Sequence, residues 1–300
     1  MKLTITMSNW NREWFLDKSI YLLSKQTLNQ NDWELIIVDD GSNIKAEKID
    51  KIIHNYKNQN VIKNFHYIKK ITKRTKYGNC AIARNIGAKF GTGDYILFTD
   101  PEVMPMPDWA EQHLITNEKN PKTNCIGLCL QTRYHYVFND KCQGQFLGNV
   151  YTDYNWKDIL STWKQMKERM SNIQKMYTLT DKQIKDEFYI YIGTQSGHSL
   201  SRKLFNKVGG FEENFANEKL GLDKWGGEDT WFHICLSRVG SPRIELESAK
   251  AIHVYHSKDH SNYIQVDYAN KYGREHPYQF ESNIGKKWGL IEENGFKVIF

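Results

Sequence analysis

The sequence lacks both a long apolar segment and a recurring cysteine pattern. No apolar run approaches the roughly 20 residues that a membrane-spanning helix requires, and the first stretch, Met1–Met7, is too short for a signal peptide. The five cysteines are odd in number and include no CxxC pair, which argues against a zinc site and against a disulfide framework. We therefore expect a cytoplasmic protein in a reducing compartment, with peripheral contact to a membrane as the alternative.

The composition is that of an ordinary globular protein without a strong charge. With 300 residues, of which 40% are hydrophobic and 25% charged, the chain can form one large domain or two closely packed ones. The formal net charge of +6 suits an acidic partner, a phosphate-bearing ligand or a membrane surface, and does not distinguish among them. We predict no specific binding of nucleic acid.

A short apolar segment that ends in two acids is the most informative stretch. Tyr95–Phe98 has the composition of a buried strand. Pro101 cannot continue it, because proline has no N–H to donate. The strand therefore ends at Asp100, and the carboxylates of Asp100 and Glu102 lie at its carboxyl end, where open α/β sheets bind ligands. Two such carboxylates can hold Mg²⁺ or Mn²⁺, with substrate phosphates completing the coordination. The alternative is a strand-to-turn junction with solvated acids.

The N-terminal region predicts a strand, a helix and a second strand. Leu3–Met7 alternates apolar and polar residues, Arg12–Gln26 has apolar residues at helical spacing, and Trp33–Val38 is a short apolar run. This order forms a parallel βαβ unit. Asp39 and Asp40 follow the second strand. One of them suits a turn, and we expect the other to accept a hydrogen bond from a base N–H or a ribose hydroxyl.

Asn79–Ala88 predicts a helix with small residues on one side, which would let the helix approach a sheet or a ligand closely. Arg84 lies within this apolar stretch and needs a partner. Its planar guanidinium suits a diphosphate, and the alternative is an ion pair with a nearby acid.

Four segments, in this order and spacing, resemble the nucleotide-binding half of family 2 glycosyltransferases with the GT-A fold. They are Ser8–Arg12, Trp33–Ser42, Ala83–Gly87 and Phe98–Glu102. The resemblance implies an α/β fold with a Rossmann-like, mostly parallel central sheet flanked by helices. It also implies a single large domain with a nucleotide-binding and an acceptor-binding half.

The same resemblance assigns roles to single residues. Asp40 would contact the nucleobase, Arg84 the base or the diphosphate, and Asp100 the ribose and the metal. The other residues of these segments that it places at the nucleotide-sugar are Ser8, Asn9, Asn11, Arg12 and Asp39. The metal signature of the family, Asp-x-Asp, stands here as Asp100-Pro101-Glu102, which keeps two carboxylates.

Trp225–Asp229 resembles the WGGED segment of β-1,4-galactosyltransferases, polypeptide N-acetylgalactosaminyltransferases and chondroitin-type polymerases. Acids in the first turn of a helix also complement its dipole, which is worth about 0.3–1 kcal/mol. That role does not account for the glycines, which allow close approach to a ligand. The resemblance implies that Asp229 is the general base and that Glu228 binds the acceptor or serves as a second base. The residues that it places at the donor are Trp225, Gly226 and Gly227.

A histidine completes the metal site that the resemblance implies. Imidazole binds Mn²⁺ well, although Mg²⁺ prefers oxygen ligands. His256–Asp259 matches the galactosyltransferase wording, whereas His253–Tyr255 matches the N-acetylgalactosaminyltransferase wording. Spacing from Glu228 favours His253 over His256. Another alternative is a pair of histidines that bond to loop backbone. The implied metal ligands are thus Asp100, Glu102, His253 and His256.

These segments divide the chain into three parts. We expect a nucleotide-sugar-binding half over 1–108, an acceptor-binding and catalytic half over 109–260, and a C-terminal helix or lid over 261–300. Within the second part, 156–177 predicts a helical insertion that is apolar on one face and basic on the other. We expect the apolar face to pack on the domain, with a membrane surface as the alternative.

The function implied is that of an inverting, metal-dependent glycosyltransferase. It would move a sugar from a nucleotide-diphospho-sugar, expected to be a UDP-sugar, to a hydroxyl of a glycan or another acceptor. The net positive charge of the chain is compatible with an acidic acceptor. The expected cofactor is Mn²⁺ or Mg²⁺. One alternative is a sugar nucleotidyltransferase, for which Ser8–Arg12 lacks a Gly-rich loop with a lysine. The other is a non-catalytic module that binds a nucleotide-sugar or a glycan, which would not need Asp229.

Overall fold

The computed structural model describes residues 1–43, 46–73, 78–132, 188–191, 197–213, 228–253 and 288–300. The strands are β1 (Leu3–Asn9), β2 (Trp33–Asp39), β3 (Phe65–Lys70), β4 (Tyr95–Thr99), β5 (Val103–Pro105), β6 (Asn124–Thr132), β7 (Phe188–Tyr191), β8 (His198–Ser201), β9 (Arg243–His253) and β10 (Phe296–Val298). The helices are α1 (Glu13–Ser24), α2 (Ala46–Gln59), α3 (Cys80–Phe90), α4 (Trp109–Lys119), α5 (Arg202–Val208) and α6 (Glu228–Arg238).

The described strands form one 10-stranded sheet in the order β10-β3-β2-β1-β4-β8-β6-β9-β5, with β7 added beside β6. Strands β3, β2, β1 and β4 are mutually parallel, because α1, α2 and α3 each return the chain to the same edge before the next strand begins. The order reverses at β1, so a topological switch point lies between β1 and β4. The residues at or just after the carboxyl ends of β1, β2 and β4 are Asn9, Asp39 and Asp100.

Beyond β4 the sheet is mixed. β8 is antiparallel to both β4 and β6, β9 is parallel to β6, and β5 is antiparallel to β9. At the opposite edge β10 runs antiparallel to β3. Every described antiparallel pair includes a strand that follows β4 in the chain. The Rossmann-like α/β architecture predicted from the sequence is therefore confirmed, with its continuous parallel part in the first four strands. The described sheet as a whole is mixed rather than mostly parallel, because five of its nine strand pairings are antiparallel.

The predicted elements of the first half are present, with small differences at their ends. β4 ends at Thr99, just before Asp100, as the following proline requires. α1 begins at Glu13, one residue later than predicted, and β2 extends to Asp39. These shifts place the polar residues directly at the strand ends without changing the order of the elements.

Alternate residues of the parallel strands pack against opposite helical layers. Leu35 and Ile37 of β2 lie in a buried cluster with residues of α1 and α2. Ile36 and Val38 lie in a second cluster with residues of α3. Because both faces are covered, the strand is apolar along most of its length rather than alternating.

Helix α3 lies directly against β1, because Gly87 has no side chain. A Cβ at Gly87 would lie 1.9 Å from Thr6 Oγ1 and 2.9 Å from Thr6 Cβ, and Thr6 is fully buried. The small residues of the predicted helix thus allow the close approach expected of them. Arg84 lies one turn before Gly87 on the same helical face, so the seating of α3 also determines where Arg84 is placed.

Several predictions fall outside the described residues. They concern the helical insertion at 156–177, Trp225–Gly227, His256 and most of the C-terminal segment. Of the helix or lid predicted over 261–300, the structure describes 288–300, which adds strand β10 beside β3. The boundaries at 108 and 260 remain predictions. No helix in the described ranges has the length and apolar character that crossing a membrane requires.

Candidate active site

Side chains from β1 and β4 meet at the switch point. The two strands pair with Met7 opposite Thr99, so the following residues, Ser8 and Asp100, are neighbours. Ser8 Oγ donates a hydrogen bond to Asp100 Oδ1 at 2.7 Å, and both residues are buried. The carboxylate predicted to face the ribose and the metal is therefore fixed by the adjacent strand.

Asp39 closes the turn that follows β2. Its Oδ1 accepts the backbone N–H groups of Gly41 at 3.1 Å and Ser42 at 2.9 Å. Its Oδ2 accepts Ser42 Oγ–H and Asn9 Nδ2–H, both at 2.6 Å. Burial raises the pKa of Asp39, and its bonds to Ser42 and Asn9 act in the opposite direction. The turn role that the sequence allows for one of the two acids thus belongs to Asp39.

Asp40 faces the start of α3. Its Oδ2 accepts the backbone N–H of Asn79, whose side chain in turn caps α3 by accepting the Ile82 N–H at 3.1 Å. Asn11 is held across the neighbouring loop by two bonds to Asn43, at 2.8 and 3.0 Å. The loops after β1 and β2 therefore bring together the predicted residues Asn9, Asn11, Asp39 and Asp40.

Asp100 and Glu102 lie in a turn between β4 and β5. The Val103 N–H donates to the Asp100 carbonyl at 3.0 Å, and Pro101 occupies the second position of the turn, where its fixed φ is favoured. Arg12 Nε donates to Glu102 Oε1 at 3.1 Å. The turn holds the two carboxylates two residues apart, and each has a basic or hydroxyl partner.

His253, the last residue of β9, lies beside this turn. β5 pairs with β9 so that Val103, which directly follows Glu102, is opposite His253. His253 is buried, with 4% of its surface exposed. In the part of the chain that the structure describes, no three His, Cys, Asp or Glu side chains are arranged as a cluster ready for a metal ion.

Arg84 joins acids from distant parts of the chain. Its Nη2 donates to Asp100 Oδ2 at 3.2 Å and Oδ1 at 3.4 Å. Its Nη1 donates to Glu228 Oε1 at 3.1 Å and to Asp229 Oδ1 at 2.7 Å. The Arg84 side chain is only 1% exposed. The structure thus shows the ion pairing that the sequence left as an alternative, and contact with a nucleobase or a diphosphate stays a prediction.

Carboxylates outnumber guanidinium groups in this region. Burial and the charge of Asp229 raise the pKa of Glu228 to about 7, although Arg84 acts in the opposite direction. Burial also raises the pKa of Asp100, with Arg84 opposing the shift and Glu102 adding to it. Among the described residues, four acids bond to two guanidinium groups. Arg12 bonds to Glu102, and Arg84 bonds to Asp100, Glu228 and Asp229. If all are ionised, two negative charges remain.

Two residues that the sequence did not identify as part of the site lie next to Arg84, namely Asn85 and Phe211. Asn85 Oδ1 accepts the Phe211 N–H at 2.8 Å, and Asn85 Nδ2 donates to the Phe211 carbonyl at 2.9 Å. The guanidinium lies 5.5 Å from the Phe211 ring centroid, and Phe211 stacks on Phe232 of α6 at 4.1 Å. Gly210 has φ +74°, and a Cβ there would lie 2.6 Å from Asn85 Oδ1. The sequence signals available for these residues were the position of Asn85 beside Arg84 and the pair of glycines, Gly209 and Gly210, that precedes Phe211.

A known protein family matches the part of the sequence that contains Ser8, Asp40, Arg84 and Asp100. The model of Glycosyl transferase family 2 matches residues 4–209, which is more than half of the chain. The chain belongs to glycosyl transferase family 2. The family match includes the switch point and α3, and it ends before Glu228 and Asp229.

Two curated relatives show how the family membership extends along the chain. Chondroitin synthase of Escherichia coli is 23% identical over 254 residues, which are 84% of this chain and 34% of that protein. Validoxylamine A glucosyltransferase of Streptomyces hygroscopicus subsp. limoneus is 22% identical over 283 residues, 92% of this chain and 57% of that protein. The chain therefore spans less than two thirds of the length of either relative.

A solved structure supports the fold. Staphylococcus aureus TarS 1–349 in complex with UDP-GlcNAc matches over 98% of this chain and 69% of that chain, with a TM-score of 0.58 and 14% identity. Together with family 2 membership, this likeness confirms the GT-A fold. The resemblance of 225–229 to the WGGED segment is not covered by the family match and stays a prediction.

Proposed function

We propose that this family 2 member is an inverting, metal-dependent glycosyltransferase that uses a nucleotide-diphospho-sugar, most simply a UDP-sugar. The observation that carries the proposal is the position of Arg84, which bonds to Asp100 at the switch point and to Glu228 and Asp229 on α6. A transferase needs a donor-binding carboxylate and a base close enough to act on one bound sugar. Because one guanidinium bonds to both sets of acids, these acids lie close enough together to support that arrangement.

The donor side is proposed at the carboxyl ends of β1, β2 and β4. Asp40 would accept a bond from the nucleobase, and the residues placed around it and the diphosphate are Ser8, Asn9, Asn11, Arg12, Asp39, Trp225, Gly226 and Gly227. This location agrees with the general position of ligands at a switch point. The TarS structure of the same fold is in complex with UDP-GlcNAc, which supports a UDP-sugar as the first donor to test.

The types of residue at the Asp100–Val103 turn suit a divalent cation, although the described side chains do not already form a three-ligand cluster. Asp100 and Glu102 would supply carboxylate oxygens, and His253, on the strand paired with β5, would supply an imidazole nitrogen. Such a donor set suits Mn²⁺. His256 is the alternative imidazole. If the four acids around Arg12 and Arg84 are all ionised, the two negative charges that remain would be balanced by one such ion. When bound, a divalent ion offsets the charge that develops on the departing diphosphate.

The proton of the acceptor hydroxyl would pass to Asp229, at the start of α6. The acceptor oxygen attacks the anomeric carbon and forms the new C–O bond, while the bond to the phosphate oxygen breaks and its electron pair leaves with the nucleoside diphosphate. A single in-line attack inverts the anomeric configuration. Asp229 would need to lie within about 3 Å of the hydroxyl, and Glu228, beside it, would bind the acceptor or act as a second base.

The proposal can be tested without knowing the acceptor, because many transferases slowly pass the sugar to water. UDP-, GDP-, dTDP- and CMP-sugars are incubated with the protein and Mn²⁺, Mg²⁺ or EDTA, and the released nucleotide is measured. We expect metal-dependent release of a nucleoside diphosphate from a UDP-sugar. No release from any donor, together with no thermal shift by any nucleotide plus metal, would contradict the proposed function.

Asp229→Asn separates an enzyme from a binding module. We expect turnover to fall by about 100-fold or more, within the usual contribution of a general base, while the dissociation constant of the nucleotide stays the same. Glu111→Gln is the matched control, because Glu111 is also an acid in the first turn of a helix, α4. Loss of nucleotide binding with Asp229→Asn would favour a non-catalytic module.

A further inference from the structure

Arg84 touches both proposed halves of the reaction with one rigid group. Its Nη2 bonds to Asp100, which belongs to the donor side, and its Nη1 bonds to Glu228 and Asp229, which belong to the acceptor side. The two nitrogens lie in one planar guanidinium with fixed spacing. The separation between the donor-side carboxylate and the acid pair is therefore set by the shape of this group.

The guanidinium is itself held in place. Phe211 lies against it at 5.5 Å from ring centroid to Cζ, and Asn85 fixes Phe211 by bonding to both its N–H and its carbonyl. Phe211 also stacks on Phe232 of α6, the helix that carries the two acids. Arg84, the acids and the aromatic support thus form one packed unit, in which a change of orientation of the guanidinium would require several contacts to break.

The charge of Arg84 is already used by protein groups. Its two Nη atoms bond to three carboxylates, and its Nε has no hydrogen-bond partner among the described residues. A diphosphate would have to displace carboxylates that are 19% exposed or less from a side chain that is itself 1% exposed. This arrangement favours a role in positioning the acids over direct capture of the donor phosphates.

We propose that Arg84 is a positioning residue, which fixes Glu228 and Asp229 relative to Asp100 so that the base faces the anomeric carbon of the donor. The proposal rests on the glycosyltransferase function proposed above. Arg84 touches neither the donor nor the acceptor in this role. Its removal should therefore lower the rate of the chemical step and leave the binding of the nucleotide diphosphate nearly unchanged.

The test compares wild type with Arg84→Lys, which keeps the positive charge but cannot bond to both sets of acids through one planar group. Binding of UDP with Mn²⁺, and of uridine alone, is measured by calorimetry, and donor hydrolysis gives kcat and KM. We expect kcat to fall by about 100-fold, as misplacement of a catalytic group by about 1 Å can cause. We expect the dissociation constant of UDP and the KM to change by less than about threefold.

Arg202→Lys is the control, because Arg202 is another partly buried arginine. It donates to the carbonyls of Gly93 and Ala88 and to Thr4 Oγ1, and not to Asp100, Glu228 or Asp229. Its kcat should equal that of wild type at temperatures where it is folded. Phe211→Leu is a second variant in case Arg84→Lys does not fold. This substitution keeps Arg84 and its three carboxylate partners. It should lower kcat and leave the affinity for UDP equal to that of wild type.

The outcomes separate this inference from the proposed function. If wild type releases no nucleotide from any donor, the proposed function fails. If wild type is active and Arg84→Lys weakens UDP binding tenfold or more without weakening uridine binding, Arg84 is a phosphate ligand and the inference is wrong. An unchanged kcat in Arg84→Lys would also refute it, while the proposed function would stand.

Discussion

Replacement of Gly87 by alanine tests whether the close contact between α3 and β1 requires a glycine at this position. The new Cβ would lie 1.9 Å from Thr6 Oγ1, 2.9 Å from Thr6 Cβ and 3.3 Å from Val38 Cγ2. The first distance is 1.5 Å short of the 3.4 Å at which ordinary van der Waals contact begins. Thr6 is a fully buried strand residue, so relief requires rotation of its side chain or displacement of the helix.

The expected loss of stability follows from two opposing effects. Overpacking of a buried contact costs about 1–3 kcal/mol, and an overlap with two atoms of one strand side chain belongs at the upper end of that range. Alanine in place of glycine within a helix stabilises by roughly 1 kcal/mol. We therefore expect Gly87→Ala to lower the free energy of unfolding by about 2 kcal/mol, and the Tm by about 4 °C for a chain of this size.

Thermal and urea denaturation of Gly87→Ala, Thr6→Ala and the double variant complete the test. Thr6 Oγ1 has no hydrogen-bond partner among the described residues, so Thr6→Ala alone should cost little through lost hydrogen bonding. The double variant should recover part of the loss, because the closest overlapping atom is gone. Equal or higher stability of Gly87→Ala, or full additivity of the two substitutions, would refute the close contact as the reason for glycine.

Two further predictions concern buried carboxylates, Glu34 near the start of β2 and Glu228 at the start of α6. Glu34→Ala removes the acceptor of the Thr92 and Gly93 N–H groups and of the Thr4 hydroxyl. The Gly93 N–H keeps its bond to Thr4 Oγ1, and Thr92 is exposed, so the Thr4 hydroxyl is the buried donor that loses its acceptor. At about 1–3 kcal/mol for such a donor, urea denaturation should show a loss of that size, with kcat per folded molecule unchanged. Glu228→Gln should flatten the pH dependence of stability. The folded pKa of Glu228 is raised from 4.5 to about 7, so wild type should lose stability as pH rises through this window, by about 1.4 kcal/mol per unit of pKa shift. Parallel stability curves for wild type and Glu228→Gln between these pH values would contradict the raised pKa.

The parallel half of the fold could be predicted because its signals are local. Apolar runs, helical spacing and a proline after Asp100 mark β1, α1, β2 and β4 within a few residues of where each begins and ends. The parallel direction of these strands follows from the βαβ connections, whereas the position of β4 beside β1 is known only from the structure. Asp39 shows the limit of such signals: the sequence indicates that one of two adjacent acids makes the turn, but only the bonds from Gly41 and Ser42 show which one.

Contacts between distant segments could not be predicted in the same way. The sequence shows that Arg84 is an arginine within an apolar helix and therefore needs an anion. Its partners lie 16 residues away at Asp100 and 144 and 145 residues away at Glu228 and Asp229. No periodicity links positions so far apart. The same is true of Asn85 and Phe211, which are 126 residues apart, and of the antiparallel pairs beyond β4, whose partners depend on the sheet already formed.

Helix α3 gives these distant contacts a common origin. Within 11 helical residues and their N-cap it reaches Asp40 through Asn79, Asp100 and the acids of α6 through Arg84, and the segment before α6 through Asn85. Because these contacts arise from one rigid helix, the two proposed sides of the site cannot shift independently without breaking one of them. The position of α3 depends in turn on the absence of a side chain at Gly87. A glycine that touches no proposed substrate is therefore expected to affect turnover through the placement of Arg84.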